Sequence, residues 1–358
     1  MKKIINTSFY PSDIAEIVER LGKHAKQLEG KRLLIVGACG FLGRYFIETF
    51  KRLNANSLEK PLSVVALDNL ITAENVPATL KNDPNFEFKQ HDISSSDSIN
   101  GSFDYIIHAA GIASPFYYRA HPLETLDVAI NGTRNLLELA TTERSRFVFF
   151  SSSEIYGDPD PAHVPTPESY WGHVSCVGPR ACYDEGKRVG ETLCQIFHQR
   201  YGVPVNIIRP FNIYGPGMKE RDYRVLPNFA NRIKGERPLQ IYGNGKQTRT
   251  YCYITDALVG FMKVLISGTP GEAYNIGNTN PELSVLGLAD LIEKVLERPI
   301  PKDIIEHPDS YPADEPQRRC PDLRKASQHL EYTPKVNIED GLKRYLNWTD
   351  SHYSGEIL

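Results

Sequence analysis

The chain has 358 residues, enough to bury one large or two modest hydrophobic cores. Its net charge of −3, with both signs spread along the chain, leaves no basic footprint for nucleic acid and no polybasic patch for a membrane surface. Neither a membrane span nor an apolar stretch behind Met1-Lys2-Lys3-Ile4-Ile5-Asn6 is present in the sequence, so a cytoplasmic protein without a secretory leader is expected.

In chain order, residues 11–28 carry apolar positions at helical spacing, with Ser12 or Asp13 placed to cap. This predicts an N-terminal helical extension, residues 1–30, packed on the main body in a structural role. Strands are predicted at Arg32–Gly37, Ser63–Asp68, Phe86–Phe88, Tyr105–Ala110, Arg146–Ser151 and Val205–Arg209. Helices are predicted at Phe41–Leu53, near Pro122–Thr142 and at about Tyr183–Arg200. Continuous apolar strands alternating with helices predict an α/β fold, a parallel sheet covered on both faces, over residues 31–212. Past Asn212 the alternation fades into Gly- and Pro-rich stretches, which predicts a smaller C-terminal substrate-binding region over 213–358. Its segment Tyr274-Asn275-Ile276 is a strand able to return to the main sheet through a crossover.

Gly37-Ala38-Cys39-Gly40-Phe41-Leu42-Gly43 lies at the first strand-to-helix junction and has the spacing GxxGxxG. Glycine is required where a backbone turns sharply beside a pyrophosphate and where the helix packs closely on the sheet. The helix N-terminus then offers unpaired N–H groups to phosphate. In that context the sheet reads as a Rossmann-type doubly wound fold. Asp68 ends the second strand, where a carboxylate accepts from ribose hydroxyls and repels a 2′-phosphate, selecting NAD over NADP. The alternative is a turn aspartate before Asn69. Asp92 is a candidate contact to the adenine, or else a helix cap.

Tyr183-Asp184-Glu185-Gly186-Lys187 supplies YxxxK. On a helix these two positions share a face, so the ammonium is expected beside the phenol, lowering its pKa and making Tyr183 a base for a sugar hydroxyl. Ser151-Ser152-Ser153-Glu154 follows the fifth strand, at the sheet edge where such folds bind ligands. A hydroxyl there can bond the oxygen that Tyr183 deprotonates, and Glu154 adds an acid/base that simple dehydrogenation does not need. Six cysteines (Cys39, Cys176, Cys182, Cys194, Cys252, Cys320) lack CxxC or Cys/His spacing, and the histidines lack HExxH pairing. Reduced thiols and no metal are expected.

From about Lys31 to about Asn347 the chain resembles the extended short-chain dehydrogenase/reductase family, and within it the UDP-glucuronate decarboxylases. The likeness is densest in Glu168-Ser-Tyr-Trp-Gly-His173 and Gly178-Pro-Arg-Ala-Cys-Tyr-Asp-Glu-Gly-Lys-Arg188. Further matching segments are 152–159, 209–216 and 242–249. The resemblance implies that Ser152 is the catalytic Ser/Thr, Tyr183 the base, Lys187 its partner and Glu154 the active-site glutamate. It implies that Arg319 acts at the glucuronate carboxylate, a role a guanidinium suits by bidentate geometry. Asn212 and Arg249 match residues that bind the nucleotide diphosphate, and Ser114, Arg224 and Tyr242 join the implied substrate set. For bound NAD it implies Gly37, Gly40, Phe41, Leu42, Gly43, Asp68, Asn69, Asp92, Ala109, Tyr183 and Lys187. The implied reaction oxidises C4 of UDP-glucuronate, releases CO₂ and reduces the product to UDP-xylose, in a homodimer built on the helices at 122–142 and 183–200.

Three segments depart from the family's pattern. Gly111-Ile112 stands where a residue followed by proline is usual, Ala129 where asparagine is usual, and Tyr311-Pro-Ala-Asp-Glu-Pro316 differs before the arginine segment. Competing chemistries are a 4,6-dehydratase, which places Asp-Glu where this chain has Ser153-Glu154, and a 4-epimerase, which needs no arginine for CO₂ loss. A non-catalytic NAD-binding protein is the alternative from another class; it would have no use for a tuned phenol.

Overall fold

The computed structural model describes residues 9–10, 12–73, 75–97, 99–306 and 316–356. Runs of β-branched and aromatic residues form β1 (Arg32–Val36), β2 (Ser63–Asp68), β3 (Phe86–Gln90), β4 (Tyr105–His108), β5 (Arg146–Phe150) and β6 (Val205–Pro210). Beyond them come β7 (Ile213–Tyr214), β8 (Leu239–Tyr242), β9 (Thr248–Thr250), β10 (Cys252–Tyr253) and β11 (Ala273–Ile276). The last strands are β12 (Glu282–Ser284), β13 (Lys302–Ile305) and β14 (Arg318–Arg319).

The main sheet has seven strands in the order β11-β6-β5-β4-β1-β2-β3, every pair parallel. Strand order reverses between β1 and β4, which opens a crevice at their carboxyl ends. Because side chains alternate along a strand, each strand feeds both faces. Leu33, Ile35, Val64, Ala66 and Ile107 pack with Phe46 and Phe50 of the helix Phe41–Asn56. Leu34, Val36, Val65, Leu67 and Ile106 pack with Leu136, Leu137 and Phe197 on the opposite side. Each such burial contributes roughly 1.5–3 kcal/mol, which is why both sheet faces are covered by helices.

At the N-terminus, Asp13–Leu21 is α-helical and Gly22–Leu28 continues as a tighter 3₁₀ helix. Ile17, Leu21, Ala25 and Leu28 are buried in the first of the two cores. Ser12 holds the N-cap position but makes no side-chain capping bond. Asp13 turns inward instead, accepting from Tyr253 Oη at 2.9 Å and Tyr45 Oη at 3.2 Å and pairing with Arg344 at 3.4 Å.

The continuous helix expected near 122–142 is interrupted. An α segment, Pro122–Asp127, passes through a widened π turn at Val128–Gly132 into Thr133–Glu143. Ala129 sits in that turn, and a Cβ placed on Gly186 of the neighbouring helix would stand 3.2 Å from the Ala129 side chain. The wide turn and two small residues bring the helices close. The three small C-terminal sheets are β10-β7, β12-β9-β14 and β13-β8. In the middle one, Arg319 lies in register beside Arg249. Of the divergent segment at Tyr311–Pro316, residues 311–315 lie outside the described residues, as does the start Met1–Asn6.

Candidate active site

The glycine loop turns at the end of β1. Gly37 has φ +83°, and a Cβ there would lie 2.7 Å from the Ala110 nitrogen. A Cβ on Gly43 would lie 2.2 Å from the Gly37 carbonyl oxygen and 2.7 Å from Ala38 Cα, so both glycines are demanded by the protein itself. Gly40 differs: its φ is an ordinary −72°, and a Cβ would meet only the Gly37 oxygen at 3.4 Å. A glycine that the protein does not need, at the N-cap of the helix begun by Phe41 and Leu42, leaves open space where the first N–H groups point outward. That space fits a pyrophosphate.

Asp68 Oδ2 accepts the Cys39 N–H at 2.9 Å and Oδ1 the Leu70 N–H at 2.8 Å, which fixes the carboxylate beside the glycine loop. Ala109 follows β4 and donates its N–H to the Val36 carbonyl at 3.0 Å. Asn69 Nδ2 donates to Asp92 Oδ2 at 3.2 Å, while Asp92 Oδ1 takes Ser94 N–H at 2.9 Å and Ser94 Oγ at 2.6 Å. Asp92 is thus occupied with capping its own turn. These residues sit at the carboxyl ends of β1 to β4 or in the loops that follow, the arrangement a dinucleotide requires.

Tyr183 and Lys187 project from the helix Ala181–Tyr201. The Tyr183 ring stacks on Tyr118, centroids 5.6 Å apart and planes at 12°. The expected acidification of the phenol is not what the surroundings produce. Burial pushes Tyr183 above the ordinary tyrosine value, and a hydrogen bond with Ser152 pulls the other way more weakly. Lys187 Nζ donates to the Phe150 carbonyl at 2.7 Å and stands 5.7 Å from the Tyr183 ring centre. Burial pushes this ammonium down to about 8. The reason is tertiary: desolvation of a phenol under an aromatic lid outweighs a charge whose bond goes to the backbone. Gly111 gives that charge its room, since a Cβ there would lie 2.9 Å from Lys187 Nζ. Both described departures from the family pattern, Gly111 and Ala129, thus pack against this helix.

Ser152 is buried, and its Oγ accepts the Glu154 N–H at 3.2 Å. Glu154 is gripped from two sides, by Arg180 on one carboxylate oxygen and by Arg319 on the other. Arg319 also donates to the Gly157 carbonyl at 3.2 Å. Ser114 Oγ, Ser151 Oγ and Tyr118 Oη are buried with no hydrogen-bond partner among the described residues, leaving bonding capacity unused beside the site.

Arg249 is buried and donates to the backbone oxygens of Thr248 at 2.9 Å and Pro316 at 2.6 Å. Asn212, left-handed at φ +45°, donates to the Thr250 carbonyl at 2.8 Å. Arg224 Nε bonds Asp222 at 2.9 Å, and its charge acts on the Tyr183 phenol. Tyr242 lies on β8, in the β13-β8 sheet, and its hydroxyl donates to Gln240 Oε1 at 3.3 Å. Two residues escaped the sequence reading. Tyr118 belongs to the aromatic run Phe116-Tyr117-Tyr118 behind Ser114-Pro115, and Arg180 lies three positions before the phenol in the most distinctive segment.

The profile of the NAD dependent epimerase/dehydratase family matches residues 33–277. The chain is 36% identical to UDP-glucuronic acid decarboxylase 1 of Arabidopsis thaliana, over 88% of this chain and 69% of that protein. It is 38% identical to UDP-glucuronic acid decarboxylase 1 of Xenopus tropicalis, over 91% of this chain and 74% of that one. Among solved structures, UDP-glucuronic acid 4-epimerase from Bacillus cereus, in complex with UDP-glucuronic acid and NAD, superposes with TM-score 0.74 at 26% identity over 90% of this chain and all (100%) of that one. A dTDP-glucose 4,6-dehydratase from Streptomyces venezuelae with NAD bound gives TM-score 0.76 at 27% identity, over 88% and 96%.

Proposed function

This chain belongs to the NAD dependent epimerase/dehydratase family, and from that premise we propose that it is an NAD-dependent decarboxylase converting UDP-glucuronate to UDP-xylose. The observation that carries the reading is the Glu154 carboxylate held between the buried guanidiniums of Arg180 and Arg319, two residues after Ser152, whose side chain hydrogen-bonds the phenol. Its curated decarboxylase relatives give independent support.

Bound NAD supplies the two-electron oxidant at C4 and later returns the same electrons, so the cycle is redox-neutral. The glycine loop and Asp68 hold the dinucleotide, and the carboxylate at Asp68 disfavours a 2′-phosphate. Tyr183 removes the C4 hydroxyl proton while Ser152 bonds the same oxygen. With C4 a ketone, the C6 carboxylate is β to it. The C5–C6 bond breaks, CO₂ leaves, and the electron pair moves to the C4 oxygen, where Ser152 and Tyr183 stabilise the charge. Arg319 and Glu154 position the carboxylate and assist return of a proton to C5. Asn212, Arg224 and Arg249 serve the nucleotide diphosphate, with Ser114 at the sugar.

A 4,6-dehydratase needs an acid at position 153, and Ser153 is buried and not one. The proposal includes a division into residues 1–30, 31–212 and 213–358, with β11 returned to the main sheet, and a cytoplasmic homodimer. Leu123, Val189 and Ile196, exposed on the helices at 122–127 and 181–201, suit such a contact. No helix among the described residues is long and apolar enough to cross a membrane. The deciding experiment is NMR of UDP-glucuronate mixed with the protein and NAD⁺. UDP-xylose is expected; UDP-galacturonate identifies a 4-epimerase, and an unchanged spectrum overturns the substrate assignment.

A further inference from the structure

Arg180 takes part in two structures at once. Its carbonyl oxygen accepts the N–H groups of Tyr183 at 2.9 Å and Asp184 at 3.0 Å, starting the helix that carries the phenol. Its guanidinium reaches the Glu154 carboxylate, and its Nε donates to Asp184 at 3.4 Å. Arg319 reaches the other oxygen of the same carboxylate from β14. One carboxylate is therefore divided between a guanidinium built into the main body and one carried by a two-residue strand of a small sheet. Both guanidiniums are buried, at 7% and 2% exposure.

On the decarboxylase reading, on which this proposal rests, the sugar brings a second carboxylate to the site. Bidentate grip by Arg319 needs two N–H groups along one edge of the guanidinium. Both terminal nitrogens are already engaged, one with Glu154 and the other with the Gly157 carbonyl at 3.2 Å, so neither edge is open and the sugar competes with Glu154 for Arg319. Releasing Glu154 outright would leave a largely desolvated, half-buried anion facing a second carboxylate, an arrangement that is unfavourable. Arg180 prevents it by keeping the second oxygen of Glu154 throughout.

We propose that Arg180 is a positioning residue for CO₂ loss, holding Glu154 in place while Arg319 passes from Glu154 to the sugar carboxylate and back. The chemical step balances without help from Arg180. The C5–C6 pair goes to the C4 oxygen, CO₂ departs, and a proton later reaches C5. Departure of the carboxylate as neutral CO₂ frees Arg319 to return, and the clamp resets each turnover. Oxidation at C4 precedes the exchange, so it depends on Arg180 much less.

The test measures the two half-reactions separately in holoenzyme: NADH absorbance for oxidation, and release of labelled CO₂ from UDP-glucuronate labelled at C6. Arg180→Met is expected to slow CO₂ release roughly a hundredfold more than NADH formation, with the 4-keto acid accumulating. Arg180→Lys, which keeps the charge but not the fork, should recover part of that loss. A residue that merely starts the helix would slow both steps equally, and an equal loss overturns the proposal. Should the Met variant fail to fold, the same ratio in the Lys variant decides: raised supports, unchanged overturns. The unsubstituted protein separates the two ways of failing. If it releases no CO₂, the decarboxylase reading falls and takes the role of Arg180 with it; if it does and the ratio is unmoved, only the role of Arg180 falls.

Discussion

Lys187 and Tyr183 share one face of a helix, yet the ammonium is bonded to the Phe150 carbonyl at 2.7 Å and stands 5.7 Å from the centre of the tyrosine ring. The pair is preorganised around the backbone end of β5. An oxidant and a sugar oxygen arriving there meet a charge already fixed in place. Burial sets the starting point for both groups, raising the phenol and lowering the ammonium.

That lowering makes Lys187 a measurable burden on stability. Its folded value of about 8 lies below the ordinary 10.5, so between those two pH values the unfolded chain binds more protons than the folded one. Stability from this group therefore rises with pH across that window and is lowest below about 8, where a full charge is buried. Lys187→Met should melt no lower than the parent near pH 7. Its relative advantage should shrink as pH approaches 10.5, while turnover falls by about a hundredfold or more. Thermal melts at several pH values, with rate measurements alongside, check both halves.

How much of this was legible in the sequence varies with the range of the interaction responsible. The glycine loop was readable because its demands are local: Gly43 needs no side chain on account of residues only five and six positions earlier. Five of the six strands of residues 31–212 were readable as largely apolar runs, and β3 from the short alternation Phe86-Glu87-Phe88. The π turn at Val128–Gly132 was not, since one extra residue in a turn leaves the apolar spacing on either side intact. YxxxK revealed which groups meet but not their electrostatics, which depend on Tyr118 and on the Phe150 carbonyl. Arg180 looked like any arginine ahead of a helix. Its partner Glu154 lies 26 positions away and Arg319 another 165 from Glu154, so only the folded chain brings them together.

Two glycines of the loop, Gly43 and Gly40, should separate by mutation. Gly43→Ala drives a Cβ to 2.2 Å from a backbone oxygen that has no freedom to retreat. It should cost about 1–3 kcal/mol and abolish copurification of NAD. Gly40→Ala meets only an atom at 3.4 Å, so the cofactor-free protein should melt as the parent does while NAD affinity drops. Nucleotide content after denaturation, together with melting of the stripped proteins, distinguishes the two. Equal melting losses would show that the space before Gly40 is structural.

Asp13 ties the N-terminal helix to Tyr45, Tyr253 and Arg344, and its burial raises the carboxyl from 3.8 to about 6 against the pull of those partners. Here the folded chain binds more protons than the unfolded one between the two values. Stability from Asp13 is thus fully present below about 3.8 and is lost as pH rises through about 6. Asp13→Asn should melt above the parent near pH 7, by an amount equivalent to about 1–3 kcal/mol, and the gap should close towards pH 4. Arg344 keeps Glu16 as a partner at 2.6 Å, so the variant strands no cation. A gap that widens on acidification would contradict the account.

Tyr118 supplies the last test, because its ring and its hydroxyl do different things. The ring lies flat against Tyr183 at 5.6 Å, while the hydroxyl is buried with no partner among the described residues. Removing an unpartnered hydroxyl relieves a desolvation cost, so Tyr118→Phe should melt at or above the parent temperature and keep the Tyr183 ring in place. Tyr118→Ala removes the ring and opens a cavity, costing about 3–5 kcal/mol by analogy with buried aromatic truncations. It should also slow C4 oxidation, since the phenol then loses the surface that fixes its plane. Stopped-flow NADH formation in both variants reads the second effect apart from the first. If the Phe variant is as slow as the Ala variant, the hydroxyl serves the substrate, and the stacking account of Tyr118 is wrong.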